Sequence, residues 1–356
     1  MSYQRIATPR IYPCAINHSL SLGEMTTANF KHYIGGAEQT SDNKSELFNL
    51  QPAQAVNLGG NNTTSEHIIQ IDTNEDSDTY VSDNNFMLIM GHNFHNADVM
   101  FKVYNYDVWG ETVKTLTPIV NAGSLTGDGG TWTSPQSGNY QAWYNNWSLF
   151  SFTGGSTTNR YTRLYLNYNS ADHGVSGSVR TPDGSYAQDI KIANIIMGDY
   201  WDFPHAPDMS IKKSIEFGNT VQESVGGSTY SNAAWLAAPH WGGSYEAFDA
   251  KTHLTPNQMR KAGKITYDMN FSYMQDSDLF TSELYQEQDM FTETSFMGQV
   301  LQRTLGTHHP FLIQWDNSSS ALVRDNFSWV RFASVPKFTQ VAHQTWNVNV
   351  SLVEAF

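Results

Sequence analysis

The sequence predicts a mainly β chain: an antiparallel sandwich followed by a second β-rich unit with one or two short helices. Three observations carry this. Ile265-Thr-Tyr267-Asp-Met269-Asn-Phe271-Ser-Tyr273 and Trp346-Asn-Val348-Asn-Val350-Ser-Leu352 alternate apolar and polar residues, the pattern of strands with one face in a core and one in water. Such one-sided strands belong to antiparallel sheets, because parallel sheets are covered on both faces. Long Gly-, Ser- and Asn-rich stretches, such as 121–130 and 152–159, separate the apolar runs and read as loops.

Shorter strands follow from the same rule. Phe311–Trp315 and Phe327–Arg331 alternate over five residues each, and further strands are expected at His67–Ile71, Asn85–Met90, Val99–Tyr104, Arg160–Tyr168 and Ile190–Met197. One helix is predicted over Thr292–Leu305, with Phe296, Val300 and Leu301 near helical spacing and Gly306 as its C-terminal cap. A second is predicted at Thr255–Lys261, where Pro256 suits a first turn.

Composition limits the function. The chain has 356 residues, enough for about two domains. One cysteine, Cys14, excludes an intrachain disulfide and any multi-cysteine metal site. Charged residues are 15% and aromatics 13% of the chain, so disorder is excluded as a whole. A net charge of −14 argues against a nucleic-acid binder, which must neutralise phosphates. No apolar run reaches the length of a membrane-spanning helix, and no secretory signal precedes residue 30. The expected places are the cytoplasm of synthesis and, from there, an assembled particle. Three regions are expected: an extended arm over 1–62, a sandwich over 63–203 and a second β domain over 204–356, with Pro204 and Pro207 near the joint.

The segment Phe86-Met-Leu-Ile-Met-Gly-His92-Asn93-Phe94-His-Asn-Ala97 is an apolar strand followed by a polar turn. It resembles the Gly-His-Asn turn of galactose-binding-like jelly rolls in tailed-phage virion proteins. Val99–Tyr104, Phe152, Arg160-Tyr161 and Ile195-Ile-Met-Gly198 fit the elements that follow in that pattern. The order of elements from Gly263 through Trp315-Asp316 to Leu352–Phe356 resembles the strand–helix–strand–strand unit of phage tail-tube-related proteins, including distal tail proteins. The resemblance implies a jelly-roll sandwich plus a tail-tube-like β domain, in a non-enzymatic virion protein. Such a protein forms a homo-oligomeric ring, contacts other virion proteins and attaches host-recognition proteins. Trp315, Trp329, Phe332 and Trp346 are the expected packing anchors of the C-terminal sheet.

Candidate sites carry alternatives. Trp132, Tyr140, Trp143, Tyr144 and Trp147 form a dense aromatic cluster among glycines, serines and asparagines. Exposed rings beside amides hold sugars; rings are also enriched at subunit interfaces; and rings fill cores. Asp72, Asn74, Asp76 and Asp78 place oxygen ligands at every second residue, as calcium loops do. A solvated acidic turn is the other reading, because Ser77 and Asp83 replace the glycine and glutamate of the EF-hand pattern. His92 and His95, with His308-His309, lack a third metal ligand at a recognised spacing. The structural reading of His92 and Asn93 is satisfaction of loop backbone groups. No Gly-x-Ser-x-Gly or His-Glu-x-x-His occurs, so no catalytic residues are assigned. The expected function is a phage tail protein of the distal or tail-tip kind. The alternatives are a carbohydrate-binding host-recognition protein and a capsid decoration or head-fibre protein.

Overall fold

The computed structural model describes residues 7–40, 43–52, 54–60, 65–72, 85–97, 99–107, 110–113, 115–120, 140–141, 146–153, 161–168, 188–217, 220–232, 263–280, 295–318 and 326–355. The chain is mainly β, and its sheets are antiparallel. It divides into two compact units, and the division falls at Ile11/Tyr12 and Tyr200/Trp201. The described residues between 10 and 59, expected as part of an extended arm over 1–62, instead form strands and a helix within the two units. Arg10 and Ile11 pair with Asp202 and Trp201 in the C-terminal unit. The next residues form a helix, Ala15–Leu22, and strands Phe30–Ile34 and Val56–Gly59 of the N-terminal unit. Their polar composition hid this. Phe30, Leu47 and Phe48 are buried one or two at a time between polar residues, so no periodic stripe marks them.

The N-terminal unit holds two main sheets. One has seven strands, with Val99–Asp107, Tyr161–Tyr168, His67–Asp72 and Phe30–Ile34 side by side at its centre. The other has four, with Phe86–His92 between Asn194–Gly198 and Asn146–Thr153. Phe101 of the first and Phe150 of the second stack with ring centroids 5.6 Å apart, so the inner faces share one apolar core. Every residue of Phe86–His92 is buried, so this strand is covered on both faces. Its sequence shows this as an unbroken apolar run rather than an alternation. The single strand expected over Ile190–Met197 is two, Ile190–Ile192 and Asn194–Gly198. At Ala193 the chain changes partner, from Val56–Gly59 to Phe86–Met90. Gly198 closes the second of these strands. A Cβ there would lie 2.6 Å from the Pro13 carbonyl oxygen, so only glycine admits this approach of the segment leading into the helix.

The C-terminal unit is an eight-stranded sheet. Along it run Arg10–Tyr12, Phe311–Gln314, Phe327–Phe332, Thr345–Glu354, Lys264–Gln275 and Lys212–Glu216, with Lys337–Ala342 also paired to Thr345–Glu354. Alternation places Ile265, Tyr267, Met269 and Phe271 in one core with Val348, Val350 and Leu352. A π-helical segment, Phe296–Gln302, covers that face. It lies within the predicted helix Thr292–Leu305 and starts at Ser295, whose hydroxyl accepts the Gly298 N–H. Gly306 turns the chain at φ +66°, as expected of the cap. Phe296 sits against Trp201, Phe203, Phe332 and Phe338. Trp315, Trp329 and Phe332 are buried, and Trp346 packs half-buried against the same core. The helix expected at Thr255–Lys261 lies outside the described residues.

Candidate functional site

The aromatic cluster divides. Trp147 lies in the strand Asn146–Thr153 opposite Met90 and is fully buried. Of its three readings it takes the third, an ordinary core ring. Tyr140 contributes backbone to a two-residue strand opposite Phe101. Trp132, Trp143 and Tyr144 lie outside the described residues, as do Asn74, Asp76 and Asp78. Asp72 ends the strand His67–Asp72, opposite Tyr161, and is partly exposed. Among the described residues no three histidine, cysteine or acidic side chains converge as a metal site would require.

The Gly91-His92-Asn93 turn is a structural clasp. The Asn93 side chain donates to the Asp189 carbonyl oxygen at 2.8 Å and accepts the Lys191 N–H at 2.8 Å. One amide thereby replaces two strand-type backbone partners and holds Ile190–Ile192 to the end of Phe86–His92. His92 Nδ1 accepts the Phe94 N–H, which leaves the proton on Nε2. Nε2 then donates to Ser148 Oγ at 2.8 Å. A serine nucleophile needs the reverse, an imidazole that accepts the hydroxyl proton. With both residues also fully buried, this pair is packing, not a catalytic dyad.

A second histidine pair lies in the seven-stranded sheet. His32 Nε2 and His67 Nδ1 are 3.1 Å apart and both residues are buried. Burial, and then the nearness of His32, push the His67 pKa down to about 4. The His67 ring is therefore accommodated in its neutral form, hydrogen-bonded to His32.

The surface that stands out is in the C-terminal unit, and none of it was marked by the sequence patterns. Lys212–Glu216 is exposed on both faces, although it pairs with Lys264–Asp268. Its register sets Ile215 opposite Ile265 and Lys213 opposite Tyr267, so the core row continues outward onto a half-exposed isoleucine. Lys213 Nζ stands 5.4 Å from the Tyr267 ring centroid, over its face. The start of this edge is anchored by Asp208, whose carboxylate accepts from Ser272 Oγ and Asn270 Nδ2. The Ser272 hydrogen bond above all holds the Asp208 pKa below the usual carboxylate range. Beyond it, the hairpin Thr220–Glu223 with Thr229–Asn232 carries exposed Val221, Val225 and Tyr230. The strand Lys337–Ala342 is a further wet edge, exposed at every position but Phe338. Among the described residues, no strand pairs with the outer edge of Lys212–Glu216 or of Lys337–Ala342. Lys212, Lys213, Glu216 and Lys337 are charges of the kind that keep a strand edge from pairing with another chain, while the exposed apolar side chains beside them are a patch that a partner could cover.

The chain matches no protein-family model. No curated protein and no solved structure is similar to it at a significant level either.

Proposed function

We propose that this chain is a non-enzymatic structural protein of a tailed-phage virion, in the tail near its distal end. It assembles with copies of itself into a ring and attaches host-recognition proteins. The observation that supports the assembly reading is the set of exposed apolar side chains on the C-terminal unit, Ile215, Val221, Val225 and Tyr230. The virion reading rests on the resemblance carried by Gly91-His92-Asn93 and by the order of elements after Gly263.

The test is the oligomeric state of the purified protein, by light scattering and negative-stain imaging over a range of concentrations. A ring with a central lumen is expected. A monomer at every concentration overturns the assembly reading and makes host-glycan binding the next property to measure.

A further inference from the structure

We infer that the hairpin Thr220–Glu223 with Thr229–Asn232 of one copy lies on the outer face of the next copy's C-terminal sheet, with Glu216 and Glu223 set against Arg331 and Lys337. The inference rests on the ring assembly proposed above and specifies its contact. Side chains meet in this contact, and no strand edge takes part.

The hairpin is built to be covered. A two-stranded hairpin alone is barely stable in water. This one forms a separate sheet of two strands, and Thr220–Glu223 and 229–231 are exposed throughout. Its turn is nevertheless fixed. The Ser224 N–H donates to the Ser228 carbonyl oxygen at 2.8 Å, and the Gly227 N–H to the Ser224 carbonyl oxygen at 2.9 Å. The Ser228 N–H donates to Ser224 Oγ at 3.0 Å. Val225 stands fully exposed at the tip. Val221 and Glu223, two residues apart, share one face of the hairpin. That face offers apolar surface beside a carboxylate.

Charge names the occupant. The chain has 34 acidic and 20 basic residues, yet the two signs separate on this unit. From 214 to 232 the charged residues are Glu216 and Glu223, with no lysine or arginine. From 326 to 353 they are Arg331 and Lys337, with no aspartate or glutamate. All four side chains are exposed, and among the described residues none of them forms an ion pair within its own chain. A second copy supplies each pair of charges with its complement.

The basic residues share a face. Arg331 lies opposite Val353, and Lys337 opposite Asn349. These positions alternate with Leu352, Val350 and Val348, which point into the core. Arg331 and Lys337 therefore stand on the outer side of the sheet. Thr339 lies opposite Asn347 on the same side, and the Asn347 side chain accepts the Tyr273 N–H. Exposed Tyr273, Val335 and Val341 supply the apolar part of this surface.

The two surfaces are distinct. Lys264–Gln275 and Thr345–Glu354 lie between Lys212–Glu216, which leads into the hairpin, and Lys337–Ala342. Three strand spacings, ~14 Å, separate those two strands. Two different patches that complement each other make a head-to-tail contact, which a rotation closes into a ring. The competing arrangement packs two hairpins on each other about a two-fold axis. It would bring the Glu216 and Glu223 carboxylates of both copies together with no cation between them, and it would close at two copies.

Charge reversal separates the arrangements. Chains carrying E216K/E223K and chains carrying R331E/K337E are followed by light scattering, alone and mixed in equal amounts. Tm of each chain checks that its own fold is kept. Alone, each is expected to associate about a hundredfold more weakly than wild type, about tenfold for each reversed pair. The mixture is expected to assemble again, with the two chains alternating, because each hairpin then meets a surface of opposite sign. R331E/K337E that assembles as wild type does overturns the inference, in favour of the two-fold contact or of a different partner on the hairpin. E216K/E223K that assembles as wild type, or a mixture that stays apart, also overturns it. Wild-type rings in any of these cases leave ring assembly standing. A wild type that never assembles overturns both.

Discussion

Gly263 and Glu216 approach so closely that a Cβ on Gly263 would lie 2.3 Å from the Glu216 carbonyl oxygen. It would also lie 2.6 Å from the carbonyl carbon. Both obstacles are backbone, so no rotamer change relieves them. The glycine fixes the end of the Lys212–Glu216 edge against the start of Lys264–Gln275. Gly263→Ala is expected to prise that end away, at a cost of about 1–3 kcal/mol. Amide hydrogen exchange should then accelerate over 212–216 and stay unchanged in the N-terminal unit. Gly226→Ala, where the nearest atom is 4.0 Å away, is the control and should change neither.

The Asn93 clasp makes a sharper prediction, because its two hydrogen bonds have opposite polarity. Asn93→Ala removes both and leaves the Asp189 carbonyl and the Lys191 N–H short of a partner, for an expected loss of about 2–3 kcal/mol. Asn93→Asp still accepts from Lys191 but turns an acceptor-only oxygen toward the Asp189 carbonyl. It is expected to be at least as destabilised as the alanine variant at pH 7. Urea unfolding of the two variants side by side measures this. An aspartate variant as stable as wild type would show that the Asp189 bond contributes nothing.

His67 makes stability depend on pH. Its folded pKa of about 4 lies below the ordinary value of about 6.5. Between these values the unfolded chain takes up a proton that the folded chain refuses, so stability falls as pH falls. The contribution is complete above pH ~6.5 and is lost progressively down to pH ~4, on the order of 3 kcal/mol in all. Denaturant midpoints at pH 7.5 and pH 5 should show the drop. His67→Gln, which cannot titrate, should flatten that part of the profile. An unchanged slope in the variant would assign the acid sensitivity to other groups.

The strands that face the core were legible, and those that face water were not. Lys264–Gln275 and Thr345–Glu354 alternate because one face meets Phe296 and its neighbours and the other meets solvent. Lys212–Glu216 is wet on both faces, so nothing constrains its sequence to alternate, and the composition reads as loop. The helix Ala15–Leu22 was missed for a related reason. Its N-cap is Cys14, whose thiol donates to Asn17 Oδ1 and caps no backbone N–H, so the usual start signal is absent. The satisfaction of backbone groups by Asn93 was expected from its residue type, but its partners Asp189 and Lys191 lie far along the chain, on both sides of Ile190, and no local pattern names them. The candidate assembly surface is not local. It appears only when strands far apart in sequence, such as Lys212–Glu216 and Lys264–Gln275, are laid side by side.

Tyr273 joins strain to exposure on that same sheet. Its φ is +64°, a region that costs a residue with a Cβ roughly 1–2 kcal/mol and that asparagine and glycine tolerate. It sits where the pairing of Lys264–Gln275 with Thr345–Glu354 slips, between Phe271 and Met274, and its N–H donates to Asn347 Oδ1. Its side chain is 72% exposed, so folding gains little from the ring. Tyr273→Asn is therefore expected to raise the stability of the isolated subunit by about 1 kcal/mol, seen as a higher Tm. Strained backbone of this kind is concentrated at functional sites. In a ring built on this sheet, the same variant should associate more weakly. Tm and assembled fraction are thus expected to move in opposite directions, and light scattering on the variant measures the second. A variant that gains Tm and keeps its full assembled fraction would place the Tyr273 ring outside the contact between copies.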